Sequence, residues 1–183
     1  MSESLLDYIK IYKGCLSSKD CAELINFIDD DEWQNSLTSD DFKKSDSYSD
    51  KRLSKFVSIS DNLKYNEIDQ KIYFTITHLV QKYINDNAKF LNVNKDEGYT
   101  LLRYDEGDKF EIHVDEGCNT PKRSLSLIIL LNDNFKGGEL RFENFTPDLG
   151  VGDVIIFPSN FMYPHSVERV TSGSRYSIVS WFS

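Results

Sequence analysis

Several things are scarce in these 183 residues, and each scarcity excludes something. There are three cysteines, Cys15, Cys21 and Cys118, an odd number with no Cys-x-x-Cys and no Cys/His zinc spacing, so neither a disulfide framework nor a structural zinc site is expected. Reduced thiols fit a cytosolic setting. Basic residues are outnumbered, 21 Lys and Arg against 30 Asp and Glu; the resulting charge of −9 repels phosphate backbones and argues against a nucleic-acid substrate. No apolar run exceeds Leu127–Leu131, far short of a membrane span. Met1-Ser2-Glu3-Ser4 has neither a basic nor an apolar stretch, so no signal peptide is expected, and the reading is a soluble, cytoplasmic protein. Histidine occurs only three times, at 78, 113 and 165.

Present in quantity are apolar residues (39%) and aromatics (13%, with 12 Phe and 10 Tyr), enough for a packed core and favourable to strands. The length suits one domain over 1–183, with an N-terminal part (1–96) of strands and supporting helices and a C-terminal β-rich core (97–183). Tyr8–Tyr12 reads as a first strand. Ser17 or Ser18 caps a helix whose Cys21, Leu24, Ile25 and Ile28 share one face. Residues 29–51 turn polar, with Trp33, Leu37, Phe42 and Tyr48 as anchors, and read as either a solvated loop or a lid. Strand character returns at 52–59. Ile68, Ile72, Ile76, Leu79, Val80, Tyr83 and Ile84 then mark a long helix over Asn66–Phe90, apolar on one face. His78 lies within it and reads as packed or exposed.

After Asp96-Glu97-Gly98 the period changes from 3.6 to 2. Strands are expected near 99–104, 109–114, 123–131, 139–143, 153–157, 165–170 and 174–182, separated by turns that include Lys136-Gly137-Gly138. Many short strands with helices before them predict a mainly β (α+β) fold, a jelly roll with the N-terminal helices bracing one sheet.

The chemistry centres on Lys109–Asp115. A strand ending in His113-x-Asp115 puts imidazole and carboxylate on one face, two thirds of a facial triad that holds Fe(II) with positions left open. His165 is the candidate third ligand. Arg175, ten residues on, is a permanent planar cation suited to holding a carboxylate, either on a strand running back beside that of His165 or as a rim residue paired with Glu168.

These residues belong to a longer series. Tyr104-x-x-Gly107, His113-x-Asp115, Leu131-Asn132, Gly137-Gly138-Glu139-Leu140-x-Phe142, Gly152-Asp153-x-Ile155-x-Phe157, His165-x-Val167 and Gly173-x-Arg175-Tyr176 with Trp181 resemble the Fe(II)- and 2-oxoglutarate-dependent dioxygenases, in order and spacing closest to the prolyl 4-hydroxylase group. The resemblance spans about 99–182. It implies a double-stranded β-helix (cupin-like jelly roll), Fe(II) on His113, Asp115 and His165, 2-oxoglutarate held by Arg175 with Tyr104 nearby, O₂ as the oxidant and L-ascorbate as an accessory reductant. Leu130 replaces a tyrosine or threonine of the family and leaves one cosubstrate contact unassigned. The implied activity is hydroxylation of a peptidyl proline with release of succinate and CO₂. Alternatives are a hydroxylase of a free amino acid or other small molecule, an alkylation-repair-type demethylase, suggested by Arg169-x₅-Arg175 but opposed by its spacing and the acidic charge, and a non-catalytic cupin-like binding module. Arg123, Glu116, Trp33, Tyr163 and Trp181 are the candidates for the pocket mouth, with loops 29–51 and 116–122 as candidate lids.

Overall fold

The computed structural model describes residues 4–36, 51–117 and 122–183. In chain order its elements are β1 (Lys10–Tyr12), α1 (Ser18–Asn26), β2 (Gln34–Asn35), β3 (Arg52–Leu53), β4 (Lys55–Ser58), α2 (Asn66–Asn87), β5 (Thr100–Tyr104), β6 (Lys109–His113), β7 (Leu125–Leu130), β8 (Lys136–Gly137), β9 (Leu140–Phe142), β10 (Val154–Pro158), β11 (His165–Val167), β12 (Val170–Ser172) and β13 (Arg175–Phe182). Every pairing among them is antiparallel. The major sheet runs β1-β10-β7-β13-β5-β4-β2, the minor sheet β3-β6-β11-β9, and β12 and β8 form a two-stranded ribbon. This is the expected jelly roll.

Two cores lie on the two faces of the major sheet, and strand alternation assigns side chains to them. From β7, Leu125, Leu127 and Ile129 face one core and Ile128 the other; from β10, Val154 and Ile156 oppose Ile155 and Phe157. The run Leu125–Leu130 is therefore buried throughout, since both faces of the central strand are covered. The helices cover the outer face. The apolar stripe of α2 (Ile72, Ile76, Val80, Tyr83) and the Cys21/Leu24 face of α1 pack there. Full burial of a side chain such as Ile72 or Ile76 contributes roughly 1.5–3 kcal/mol. The Ser17 hydroxyl caps α1 by accepting from the Asp20 amide. Between the two sheets lies the second core, open at one end as a cavity.

Some expectations need correction. The first strand begins at Lys10, because Leu5–Tyr8 forms a 3₁₀ turn closed by a Ser4/Asp7 capping box. Helix α2 ends at Asn87 rather than Phe90, and Phe90 is fully exposed. The span 165–170 is two strands in different sheets: β11 pairs with β6 and β9, β12 with β8. Lys136-Gly137 is not only a turn but the strand facing β12. Gly137 and Gly138 both have positive φ (69° and 70°), and a Cβ on Gly137 would lie 2.2 Å from the Arg169 carbonyl oxygen. Of the segment 29–51, Asp30–Glu32 is a 3₁₀ turn and β2 pairs with β4; the lid reading concerns 37–50, outside the described residues, as are Cys118 and most of the 116–122 loop. Cys15 and Cys21 are free thiols. No helix among the described residues is long and apolar enough to cross a membrane.

Candidate metal centre and active site

The minor sheet carries the histidines. His165 on β11 sits directly across from His113 on β6, so the ladder register itself brings together residues 52 positions apart. Asp115 follows two residues beyond the end of β6. Its Oδ1 lies 3.5 Å from His113 Nε2 and its Oδ2 3.6 Å from His165 Nε2. The imidazole centroids are 4.3 Å apart, and ligand atoms of all three residues fall within 4.8 Å of one another.

Each imidazole is oriented from behind. His113 Nδ1 lies 2.9 Å from the Glu111 carbonyl oxygen and His165 Nδ1 3.1 Å from that of Tyr163. A carbonyl can only accept, so Nδ1 carries the proton and the Nε2 lone pair faces Asp115, the tautomer a metal requires. Phe110 stacks on His113 (centroids 3.6 Å apart, 17° between planes), and Arg52 lies over Phe110 at 4.7 Å. Phe157 and Phe142 enclose His165. Burial lowers the His165 pKa against the opposing charge of Asp115, keeping the ring neutral. For Asp115 burial acts to raise the pKa, but the neighbouring histidines and the hydrogen bond from the Ser126 hydroxyl outweigh it and hold the carboxyl below its usual range. Two imidazoles and one carboxylate on one side of a cavity fit a divalent iron with open positions.

That cavity, of about 440 Å³, lies between the sheets and is lined by both ends of the site. Along the inner face of β13 run Arg175, Ser177, Val179 and Trp181, all lining it. Arg175 pairs in register with Tyr104 on β5, and its guanidinium lies 5.7 Å from the Tyr104 ring centroid. Both are buried, at 2% and 1% exposure. The Arg175 Nη1 donates to Ser177 Oγ at 2.8 Å, and among the described residues no carboxylate forms an ion pair with it. Burial lowers the Arg175 pKa, opposed by Tyr104 and Glu139. The expectation that the Arg175 strand lies beside that of His165 is wrong: β13 pairs with β5 and β7, in the sheet opposite β11. Metal ligands and guanidinium therefore come from facing walls. Nor is Arg175 a rim residue paired with Glu168, which lies 3.7 Å from Arg141.

Of the mouth candidates, Arg123 and Trp181 line the cavity. Glu116 and Tyr163 line a neighbouring cavity of about 460 Å³, and the Tyr163 hydroxyl donates to the Leu5 carbonyl. Trp33 packs on Tyr176. His78 is exposed on α2. Leu130 is buried directly across the ladder from Ser177. Three contributors escaped the sequence reading. Ser126 donates to Asp115 Oδ2 at 2.6 Å and is hydrogen-bonded to Ser159 at 2.8 Å; Ser177 holds Arg175; Glu97 holds Arg123. A serine at an inward position of an otherwise apolar strand was the available signal for the first two.

A jelly roll with a His-x-Asp…His cluster on one wall and a buried arginine, without an ion pair among the described residues, on the other has the architecture of a 2-oxoglutarate oxygenase. Residues 99–183 match the family model described as the 2OG-Fe(II) oxygenase superfamily. Among curated relatives, a PKHD-type hydroxylase of Idiomarina loihiensis is 33% identical over 89 residues, covering 45% of this chain and 40% of that protein. One from Prochlorococcus marinus is 37% identical over 115 residues, covering 57% and 51%. The chain thus matches about half the length of these relatives or less. The fold is shared with a Trichoplax adhaerens prolyl hydroxylase solved with a hypoxia-inducible-factor peptide (TM-score 0.78, 18% identity, 97% of this chain and 84% of that one). It is also shared with a viral collagen prolyl hydroxylase of Paramecium bursaria Chlorella virus-1 solved with 2-oxoglutarate (TM-score 0.67, 20% identity, 96% and 95%).

Proposed function

We propose that the chain is an Fe(II)- and 2-oxoglutarate-dependent dioxygenase that hydroxylates a peptidyl proline. The observation that carries the reading is Arg175: a fully buried cation, without an ion-paired carboxylate among the described residues, lining the same cavity as His113, Asp115 and His165. A buried cation in that situation calls for an anionic ligand. In this reading His113, Asp115 and His165 hold Fe(II). Arg175 grips the distal carboxylate of 2-oxoglutarate, with Tyr104 beside it. Ser177, positioned across from Leu130, supplies the hydroxyl that Leu130 lacks. Bound iron supplies the activation of O₂ that couples decarboxylation of the keto acid to insertion of one oxygen atom into a substrate C–H bond, giving succinate, CO₂ and the alcohol. The protein's share is orientation and exclusion of water. Val179, Ile128, Leu102, Leu140 and Val167 line the cavity with apolar surface, and the Nδ1–H···O=C bonds keep both imidazoles aimed at the metal. L-Ascorbate, as an accessory reductant, belongs to the same reading.

Support for a hydroxylase comes from the PKHD-type hydroxylase relatives, and support for a peptide substrate from the peptide held by the Trichoplax prolyl hydroxylase. The test is 2-oxoglutarate turnover by the Fe(II) protein with and without a proline-rich peptide. Succinate formed with the peptide, together with hydroxyproline, is the expected result. Succinate with free amino acids but not with peptides moves the substrate to a small molecule, and none under any condition leaves a non-catalytic cupin-like module.

A further inference from the structure

Arg123 has the form of an anion-binding residue but is already neutralised. Its Nε and Nη2 make a bidentate pair with Glu97 (3.0 and 2.8 Å to Oε2, 3.2 Å to Oε1), and its guanidinium lies 3.8 Å from the centroid of the Trp181 ring, close enough for face contact. Both side chains are mostly buried, at 11% exposure for Glu97 and 16% for Arg123. The backbone ties the group together, since the Glu97 amide donates to the Trp181 carbonyl oxygen at 3.0 Å. Arg123 and Trp181 line the cavity that holds the triad, and Trp181 is in ladder register with Ser126, the residue bonded to Asp115. Lys51 and Arg52, the other cations of this cavity apart from Arg175, belong to the opposite wall, at and just before β3.

We infer that Glu97 sets substrate charge preference: by cancelling the charge of Arg123 on Trp181 it makes this wall flat and electrically neutral, a surface for an uncharged compact group such as a pyrrolidine ring and unfavourable to a carboxylate. The inference deepens the peptidyl-proline reading and rests on it. A free guanidinium would attract an acidic residue and grip it bidentately. Here the two nitrogens suited to that grip are occupied by Glu97. Nη1, with no hydrogen-bond partner among the described residues, is left to donate to a neutral carbonyl. Glu97 is a positioning residue in this account, acting through Arg123.

The test reads binding apart from catalysis. A Trp33→Phe background removes the tryptophan outside the cavity and leaves Trp181 as the reporter. The Fe(II)/2-oxoglutarate form is titrated anaerobically with end-blocked Gly-Pro-Gly and Gly-Asp-Gly while Trp181 emission is followed. The unsubstituted wall should favour the prolyl peptide by about tenfold or more, and Glu97→Gln should shrink that ratio by about tenfold or more by baring the cation. Arg123→Met bares Glu97 instead and should raise the ratio, while the double variant, carrying neither charge, should return it to the starting value. An unchanged ratio in folded Glu97→Gln overturns the inference, as does Trp181 emission indifferent to both peptides. Should Glu97→Gln not fold, an unchanged ratio in Arg123→Met overturns it equally. The expected ratios without any hydroxyproline on aeration would sink the prolyl reading while leaving the neutral wall standing; hydroxyproline with unchanged ratios would do the reverse.

Discussion

Replacing Arg175 with methionine should make the protein more stable and worse at holding 2-oxoglutarate, a pairing of signs that a structural arginine cannot produce. The guanidinium is 2% exposed, with one hydrogen bond to Ser177 and no ion pair among the described residues. An uncompensated buried ion costs several kcal/mol in real proteins. One hydrogen bond to a charged group recovers about 1.5–3 kcal/mol. Methionine fills similar space without charge or strict shape, so the cosubstrate-free variant should gain roughly 1–3 kcal/mol, which for a chain of this size is a rise in Tm of about 2–4 °C per kcal/mol. The loss on the other side is larger: truncating one member of a buried charge pair costs about 2–5 kcal/mol, or roughly 30- to several-thousandfold in affinity. The assay is thermal unfolding of both proteins with and without saturating 2-oxoglutarate, alongside anaerobic Fe(II) titration. The parent should gain Tm on adding the keto acid, the variant should not, and iron affinity should change little. A variant less stable than its parent without ligand, or one that loses iron and 2-oxoglutarate in equal measure, would refute the reasoning and make Arg175 a packing residue.

Further outcomes are expected. His113→Ala or Asp115→Ala should abolish turnover with little change in the folded baseline, read by circular dichroism beside the succinate assay. Ser126→Ala should weaken Fe(II) binding by about 10–100-fold while leaving the triad in place, because it removes the hydrogen bond that fixes the Asp115 rotamer. Gly138→Ala should destabilise by about 1–3 kcal/mol and also weaken 2-oxoglutarate binding, since φ is 70° and the new Cβ would meet Arg175 Cδ at 3.1 Å; urea midpoints and a keto-acid titration check both. Asp105 carries an acid limb. Burial pushes its pKa up, but hydrogen bonds from Lys55, Ser174 and Arg103 bring it down to about 2. Its folded pKa lies below the unfolded value of about 3.9, so its stabilisation is present above about pH 4 and is lost as pH falls toward 2. Asp105→Asn should flatten that limb of a urea-midpoint profile.

The strands of the C-terminal half could be located from the sequence because alternation is a local property: Val154-Ile155-Ile156-Phe157 declares a strand wherever it packs. The triad could be located because His113 and Asp115 are two residues apart and the protein has few other histidines. Pairing between sheets could not be read so directly. That β11 and β13 sit on opposite walls depends on β12 leaving the minor sheet to pair with β8, a choice made where Gly137 lets the Arg169 carbonyl approach and not signalled by either strand alone. The helical stripe of α2 predicted its buried face correctly but overran its end, because Leu91 and Val93 carry on contributing to the core after the helix has stopped. Among mouth residues, Trp33, Tyr163 and Glu116 were as plausible by type as Arg123 and Trp181. Only three-dimensional packing separates them, and it put Trp33 on Tyr176 and Tyr163 under the N-terminal 3₁₀ turn.

Anaerobic Fe(II) titration of the parent and of His113→Ala, Asp115→Ala and His165→Ala tests the metal centre most directly. One high-affinity ferrous ion per chain, tightened by 2-oxoglutarate and lost in each folded variant, is the predicted result. Iron bound equally well by all four proteins would contradict it.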